Sequence, residues 1–329
     1  MRLLLDQTPT IALCVAAVLA ATNRAGADEA GASFWLSGTY ASQAAVPATP
    51  GWSVETTFYH ATASADRTAT FPRGGRIEVG LDTAGNYFMV TPSYTFEQEV
   101  LGGQLGLGLT FFAGNYASTV SATLVASSGA GLTRAPGDSM TEIGDLYPQA
   151  SLKWNLGNHN FMSYLTAGIP IGGYDVNRQA SVGLGHWAID GGLGYTYFDE
   201  EKGHELSAVL GFTYNFMNPS TAYQSGVDLH LEVSASQYVT ERLALGVVAY
   251  LFNQITGDSG PGATLGPFLS RSAGVGPQAS YDFSLGGRDA SFNVRGYYEF
   301  AGQNRPVGWN AWLTLAIALG APSRQAAAR

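Results

Sequence analysis

Within residues 204–216, Leu206, Ala208, Leu210, Phe212, Tyr214 and Phe216 alternate with Glu205, Ser207, Gly211, Thr213 and Asn215. Val209 is the one apolar residue on the polar side. The same period of two runs through 226–238, where Val227, Leu229, Leu231, Val233 and Ala235 oppose Asp228, His230, Glu232, Ser234 and Ser236. It returns in 289–301, with Phe292, Val294, Tyr298 and Phe300 against Ser291, Asn293, Arg295, Tyr297 and Glu299. Successive side chains of a strand point to opposite faces. Each segment therefore has an apolar and a polar side, a pattern that fits a soluble sandwich as well as a membrane barrel.

The connections separate the two. Twelve strands are predicted, at 52–62, 86–97, 103–113, 145–155, 159–171, 187–198, 204–216, 226–238, 241–252, 272–284, 289–301 and 308–319. The connections between them are 23, 5, 31, 3, 15, 5, 9, 2, 19, 4 and 6 residues long, so short ones alternate with longer ones. Bacterial outer-membrane barrels use short periplasmic turns, longer external loops and an even strand number. A sandwich has no reason to sort its loops this way. Asn155-Leu156-Gly157-Asn158 and Leu285-Gly286-Gly287-Arg288 supply turn chemistry at two of the short connections. The fold is expected to be all-β: a transmembrane antiparallel up-and-down β-barrel of about twelve strands, or ten or fourteen if the two longest connections hide more. Trp52, Trp154, Tyr195 and Tyr197 then fall near the periplasmic rim. Phe111, Trp187, Tyr214, Phe216 and Trp309 fall near the outer rim, and aromatic girdles belong at both interfaces.

Composition agrees. Asp, Glu, Lys and Arg make up 12% of the chain, against about 25% in soluble domains. The formal net charge of −9 gives no basic footprint for a nucleic-acid partner. Residues 100–133 hold no charged residue, but their Gly, Ser and Thr oppose a helix. Leu105-Gly106-Leu107-Gly108-Leu109 at their centre repeats with period two. At the N-terminus, Ile11–Ala21 is a short apolar core and Ala25-Gly26-Ala27 a small-residue cleavage site. Together they predict a signal peptide over 1–27 and a mature chain starting at Asp28. The single cysteine, Cys14, lies inside that peptide, which excludes disulfides and thiol chemistry from the mature chain. Residues 28–50 contain no Lys or Arg and carry Phe34, Trp35, Leu36 and Tyr40. They are too apolar to float free and are expected to plug the lumen of a barrel over 51–320, with 321–329 as a periplasmic tail.

Several blocks resemble a known family. They are Phe34-Trp35-Leu36-Ser37-Gly38, Ala44-Ala45-Val46-Pro47, Pro50-Gly51-Trp52, Gly144-Asp145-Leu146-Tyr147-Pro148 and His159-Asn160-Phe161-Met162. Further blocks are Gly185-His186-Trp187-Ala188-Ile189-Asp190, Gly226-Val227-Asp228-Leu229-His230, Gly274-Val275-Gly276-Pro277-Gln278, and Asn304-Arg305-Pro306 with Gly308-Trp309-Asn310. Over roughly residues 33–319 the chain is similar to the outer-membrane transporter family of the phenol-degradation meta-pathway. The resemblance implies a barrel associated with uptake of hydrophobic or aromatic compounds and carries over no catalytic residues.

The polar faces collect Glu55, Lys153, Asp190, Glu205, Asp228, His230, Glu232, Asp282, Arg295 and Glu299. Burying so many charges in a dry core would cost several kcal/mol each unless paired. A wet lumen removes that cost, and these ten are expected to line it. Asp228, His230 and Glu232 alternate along one strand at about 6.6–7 Å, wide for one shared metal ion. No metal site or cofactor is expected. No Gly-x-Ser-x-Gly or His-Glu-x-x-His motif is present. An outer-membrane lipase would need its Ser and His toward lipid, whereas His230 lies on the polar side. About eight strands fill with side chains and about 16–18 leave an open channel, so twelve predict a narrow lumen.

The leading reading is a channel in the bacterial outer membrane for small hydrophobic or aromatic compounds, and not an enzyme. Its expected partners are outer-membrane lipid, the solute and the barrel assembly machinery. A structural or adhesion barrel with a plugged lumen is the alternative, and an outer-membrane lipase the third reading. The register predicts Leu206, Leu210 and Phe212 toward lipid and Glu205, Ser207 and Thr213 toward the lumen. Arg at Leu210 should then cost roughly 2–4 kcal/mol, and Arg at Thr213 little. Asp228 and Glu232 are expected to give the lumen a cation-favouring field.

Overall fold

In a computed structural model, residues 33–70, 76–125, 128, 130–264 and 266–320 are described. The expected signal peptide and periplasmic tail lie outside the described residues. Fourteen strands follow one another: β1 (Gly51–Thr70), β2 (Arg76–Val100), β3 (Gly103–Val125), β4 (Gly131–Arg134), β5 (Gly137–Ile143), β6 (Tyr147–Leu156) and β7 (His159–Gly168), then β8 (Ala188–Asp199), β9 (His204–Asn215), β10 (Asp228–Tyr238), β11 (Leu243–Gln254), β12 (Arg271–Leu285), β13 (Arg288–Gln303) and β14 (Val307–Ala318). Twelve of them, β1 to β3 and β6 to β14, form an antiparallel wall. It closes where β1 meets β14, from Ser53 opposite Ala318 to Ser64 opposite Val307. Closure leaves no unpaired edge, which a backbone in hydrocarbon requires.

The two longest connections contain no further wall strands. They hold extra strand length. β2 has 25 residues and β3 has 23, whereas a membrane-crossing strand needs about 9–11. The outer ends of β1, β2 and β3 therefore continue beyond the wall as a ribbon, and β4 and β5 pair with the upper part of β3. β5 and β6 descend along the same edge of β3, opposite 113–119 and then 104–110. The break between them is Gly144-Asp145-Leu146. There the Asp145 carboxylate turns aside to accept the amides of Gly172 and Leu184, at 2.9 and 2.8 Å, tying connection 169–187 to the wall. Because β13, with 16 residues, runs on to Gln303, only three residues join it to β14 on the outer side. The strict alternation of connection lengths is therefore softened where strands outgrow the membrane.

The wall is apolar outside and polar within. Leu193, Val247 and Tyr298 are 68%, 59% and 69% exposed, and Phe58, Phe88, Leu165 and Leu206 are also exposed. Asp190, Ser207, Thr213, Asp228 and Asn310 are buried. A soluble protein does not expose large apolar side chains all round its circumference. A closed strand wall with this inversion is an outer-membrane β-barrel. Trp52 packs on Tyr94 at the end where the chain enters β1. Trp309 packs on His60 near the opposite rim.

Candidate functional site

Residues 33–50 precede the first strand and run through the barrel. Leu36-Ser37-Gly38-Thr39 makes a tight turn, closed by the Thr39 amide donating to the Leu36 carbonyl at 3.2 Å. Gly38 sits at φ +95° in its third position, where a type II turn needs a residue tolerant of positive φ. A Cβ there would also lie 2.8 Å from the Tyr297 ring. The turn aims its amides at one carboxylate. Glu232 Oε1 accepts the Trp35 indole N–H (3.0 Å) and the amides of Gly38 (2.7 Å) and Thr39 (3.2 Å), while Oε2 accepts the Tyr40 amide (2.6 Å). Such a concave run of N–H groups is a natural anion cradle. Arg295 holds the other side, donating to the carbonyls of Gly38 (3.0 Å) and Thr39 (3.3 Å) with its guanidinium over Trp312.

Beneath Trp35 lies a polar cluster. The indole stacks on His230 with centroids 3.8 Å apart. His230 Nε2 is 3.1 Å from Asp190, which also accepts the hydroxyls of Tyr164 (2.7 Å) and Thr213 (2.6 Å). Farther along the segment, the Gln43 amide donates to Glu205 and the Ala45 amide to Thr196. Ser42 meets Ser236 and Gln278, and Lys153 Nζ donates to the Val46 carbonyl at 3.1 Å. The Ala48 amide donates to Gln104, and at the other end of the segment Arg305 donates to Ser33 Oγ. An unpaired buried amide is costly, and polar side chains of the wall supply the partners that regular structure would otherwise give.

The segment does not fill the lumen. It leaves a cavity of about 420 Å³ against the inner faces of β1, β2, β3 and β6. Leu36, Tyr40, Met89, Tyr147, Met162 and Trp312 form much of its apolar lining, and Ser53, Ser93, Gln104, Gln149 and Ser151 much of its polar lining. The inner face of β3 reads Gln104, Gly106, Gly108, Thr110. Cβ atoms at Gly106 and Gly108 would approach Ser151 Oγ to 3.1 Å and the Gln149 amide to 2.7 Å. This glycine row keeps room beside β6. Among the described residues lining the cavity, the charged ones are Glu55, Lys153 and Arg295.

All ten residues expected in the lumen lie on inward faces, but they do not form one surface. Glu55, Lys153 and Arg295 border the cavity. Asp190, Glu205, Asp228, His230 and Glu232 are buried, most of them under the segment. Asp228 accepts Asn215, Asp282 accepts Tyr238, and Glu299 accepts Tyr250, Asn310 and the Gly308 amide. Of the four aromatic and apolar residues marked in the segment, Phe34 and Trp35 are buried, and all four touch the cavity. Thr213 is wholly buried and bonded to Asp190, so the expectation that Arg is tolerated there is corrected. Sequence reasoning passed over Tyr164, Thr196 and Trp312, and marked Gln278 only within a block of family resemblance. It also passed over the glycine row, whose period of two was read only as a strand signal.

A family model described as "Putative MetA-pathway of phenol degradation" matches residues 65–315. An outer membrane channel from Pseudomonas putida is similar in structure, with a TM-score of 0.60 at 15% identity over 82% of this chain and 96% of that one. A FadL homologue from Pseudomonas aeruginosa has a TM-score of 0.40 at 10% identity over 82% and 89%. The transport unit of the autotransporter AIDA-I from Escherichia coli has 0.42 at 10% identity over 89% and 95%. No curated protein matches the sequence.

Proposed function

The chain belongs to the MetA-pathway phenol-degradation family, and from that premise we propose that it is an outer-membrane channel for small hydrophobic or aromatic compounds. The observation that carries this reading is the cavity of about 420 Å³ left between residues 33–50 and β1, β2, β3 and β6. An apolar cavity of about 150 Å³ already accepts benzene, and sites for small ligands run to about 300–1,000 Å³. A substituted aromatic ring therefore fits. Phe34, Trp35, Leu36 and Tyr40 act as a plug that narrows the barrel to one side. The ten inward residues divide the work: Glu55 and Lys153 face the solute, Arg295 borders the cavity while holding the plug, and most of the others hold the plug or the wall. This division replaces a lumen field set by Asp228 and Glu232, because Glu232 is taken up by the plug's N–H groups.

The density of bonds to the plug also favours a second reading, a permanently closed barrel whose outer ribbon is the active part. Planar-bilayer conductance separates the two. Deleting residues 29–48 should raise single-channel conductance severalfold above a small wild-type value. A wild-type protein without conductance, rescued by the deletion, favours the closed barrel. Equal conductance before and after deletion contradicts the plug.

A further inference from the structure

The cavity has an unbalanced charge. Its described lining holds one carboxylate, Glu55, and two cations, Lys153 and Arg295. Glu55 is within electrostatic reach of both. The two cations differ in what they already do. Arg295 is spent on the segment: its donors go to Gly38, Thr39 and Asn293, and its plane lies over Trp312. Lys153 directs one bond to the Val46 carbonyl, and among the described residues no carboxylate stands at ion-pair distance from it. An ammonium carries three donors, so most of its capacity points at whatever occupies the cavity. Met162 lies directly across the β6–β7 ladder from Lys153, and Tyr147 lines the same inner face of β6. A cation beside a thioether and aromatic rings suits a molecule with an anionic end and an apolar body.

We propose that the cavity selects aromatic carboxylates, the carboxylate on Lys153 and the ring against Met162 and Tyr40, with Tyr147 lining the path farther along β6. This rests on reading the cavity as the solute path and adds the chemical class of the solute. It reverses the cation preference expected from the inward carboxylates. Those carboxylates are matched by hydroxyls, amides and the segment's N–H groups, whereas Lys153 has a carbonyl as its protein partner. Glu55 limits the affinity and so favours release, since conduction needs binding weak enough to leave.

The test uses the full chain purified in a non-ionic detergent, with the fluorescence of Trp35 and Trp312, both in the cavity lining, as the readout. The probes are 4-ethylbenzoate, its neutral isostere 4-ethylbenzamide and the cation 4-ethylbenzylamine. The wild type should bind the benzoate at least tenfold more tightly than the benzamide and the amine least. Lys153→Met should abolish the benzoate preference, and Lys153→Arg should keep it. Glu55→Gln should strengthen benzoate binding about tenfold, a gain of affinity that a misfolded variant cannot mimic. Equal affinity of benzoate and benzamide in the wild type overturns the proposal, as does a benzoate preference that survives Lys153→Met. Conductance through the cavity without any preference among the probes would sink this inference alone. Selective benzoate binding without conductance would sink the channel reading and leave the site as a binding site.

Discussion

Replacing Glu232 by Gln should unlatch the segment from the wall. The substitution keeps size and shape and removes the charge that four donors share. Hydrogen bonds to a charged group contribute about 1.5–3 kcal/mol, against about 0.5–1.5 for neutral pairs. The three donors on Oε1, from Trp35, Gly38 and Thr39, can keep an amide oxygen as acceptor and lose about 1 kcal/mol each. The Tyr40 amide faces the new NH₂ group, a donor opposite a donor, and its stranding costs about 1–3 kcal/mol more. Relief of carboxylate burial offsets part of this, leaving a net weakening of about 3 kcal/mol. At about 1.4 kcal/mol per tenfold, the ratio of latched to unlatched segment should fall by about 100-fold. Single-channel recording should show frequent excursions to a larger conductance level, and protease should cut within 36–48 far faster than in the wild type. Glu205→Gln is the control, since from the segment Glu205 accepts the Gln43 amide, and its effect should be near 1 kcal/mol. If Glu232→Gln keeps wild-type conductance, gating and protease resistance, the carboxylate cradle does not hold the segment.

Leu210→Arg should weaken the barrel by roughly 2–4 kcal/mol in urea titrations of protein refolded into lipid. Thr213→Arg should be at least as damaging because that side chain is wholly buried against Asp190. Tolerance at Leu210 would invert the register. On the outer side, Arg178 holds the Asp138 carboxyl well below the usual carboxylate range. A depressed folded-state pKa contributes stability above the unfolded value of about 3.9 and loses it as pH falls through the folded value. Hydrogen exchange at Gln179 and Ala180, whose amides also donate to Asp138, should therefore stay slow down to about pH 4 and quicken only well below it. Quickening already between about pH 5 and 6 would show that another group docks this loop.

The wall was legible because one face of each strand must satisfy lipid and the other a polar interior, which writes a period of two into segments such as 204–216. Length and sorting of connections then gave the strand count and direction. The outer ribbon was not legible. Its described residues pair across β1, β2, β3 and β5, but their sequence is rich in Gly, Ser, Thr and Ala, and the buried face of β3 there reads only Ser118, Val120 and Ala122, too weak an apolar alternation to mark a strand. The plug was visible as apolar content with no Lys or Arg, but its path was not. It has no regular period, and the partners of its amides, Glu232, Glu205, Thr196 and Gln104, lie 56–194 residues away. Inward direction could be read for all ten residues. Which of them face solute depends on where the segment lies, and no pattern within a strand records that.

The most direct test of the account is cysteine accessibility at two inward serines under a bilayer current. Ser151 lines the cavity, whereas Ser234 is buried on β10, within 3.5 Å of Glu205. With Cys14 replaced by Ser, each site is changed to Cys in turn and exposed to a small methanethiosulfonate cation. Modification at Ser151→Cys should reduce the current, and Ser234→Cys should stay unreactive until residues 29–48 are deleted. An unaffected current at Ser151→Cys together with prompt block at Ser234→Cys would place the solute path on the opposite side of the barrel and contradict the account.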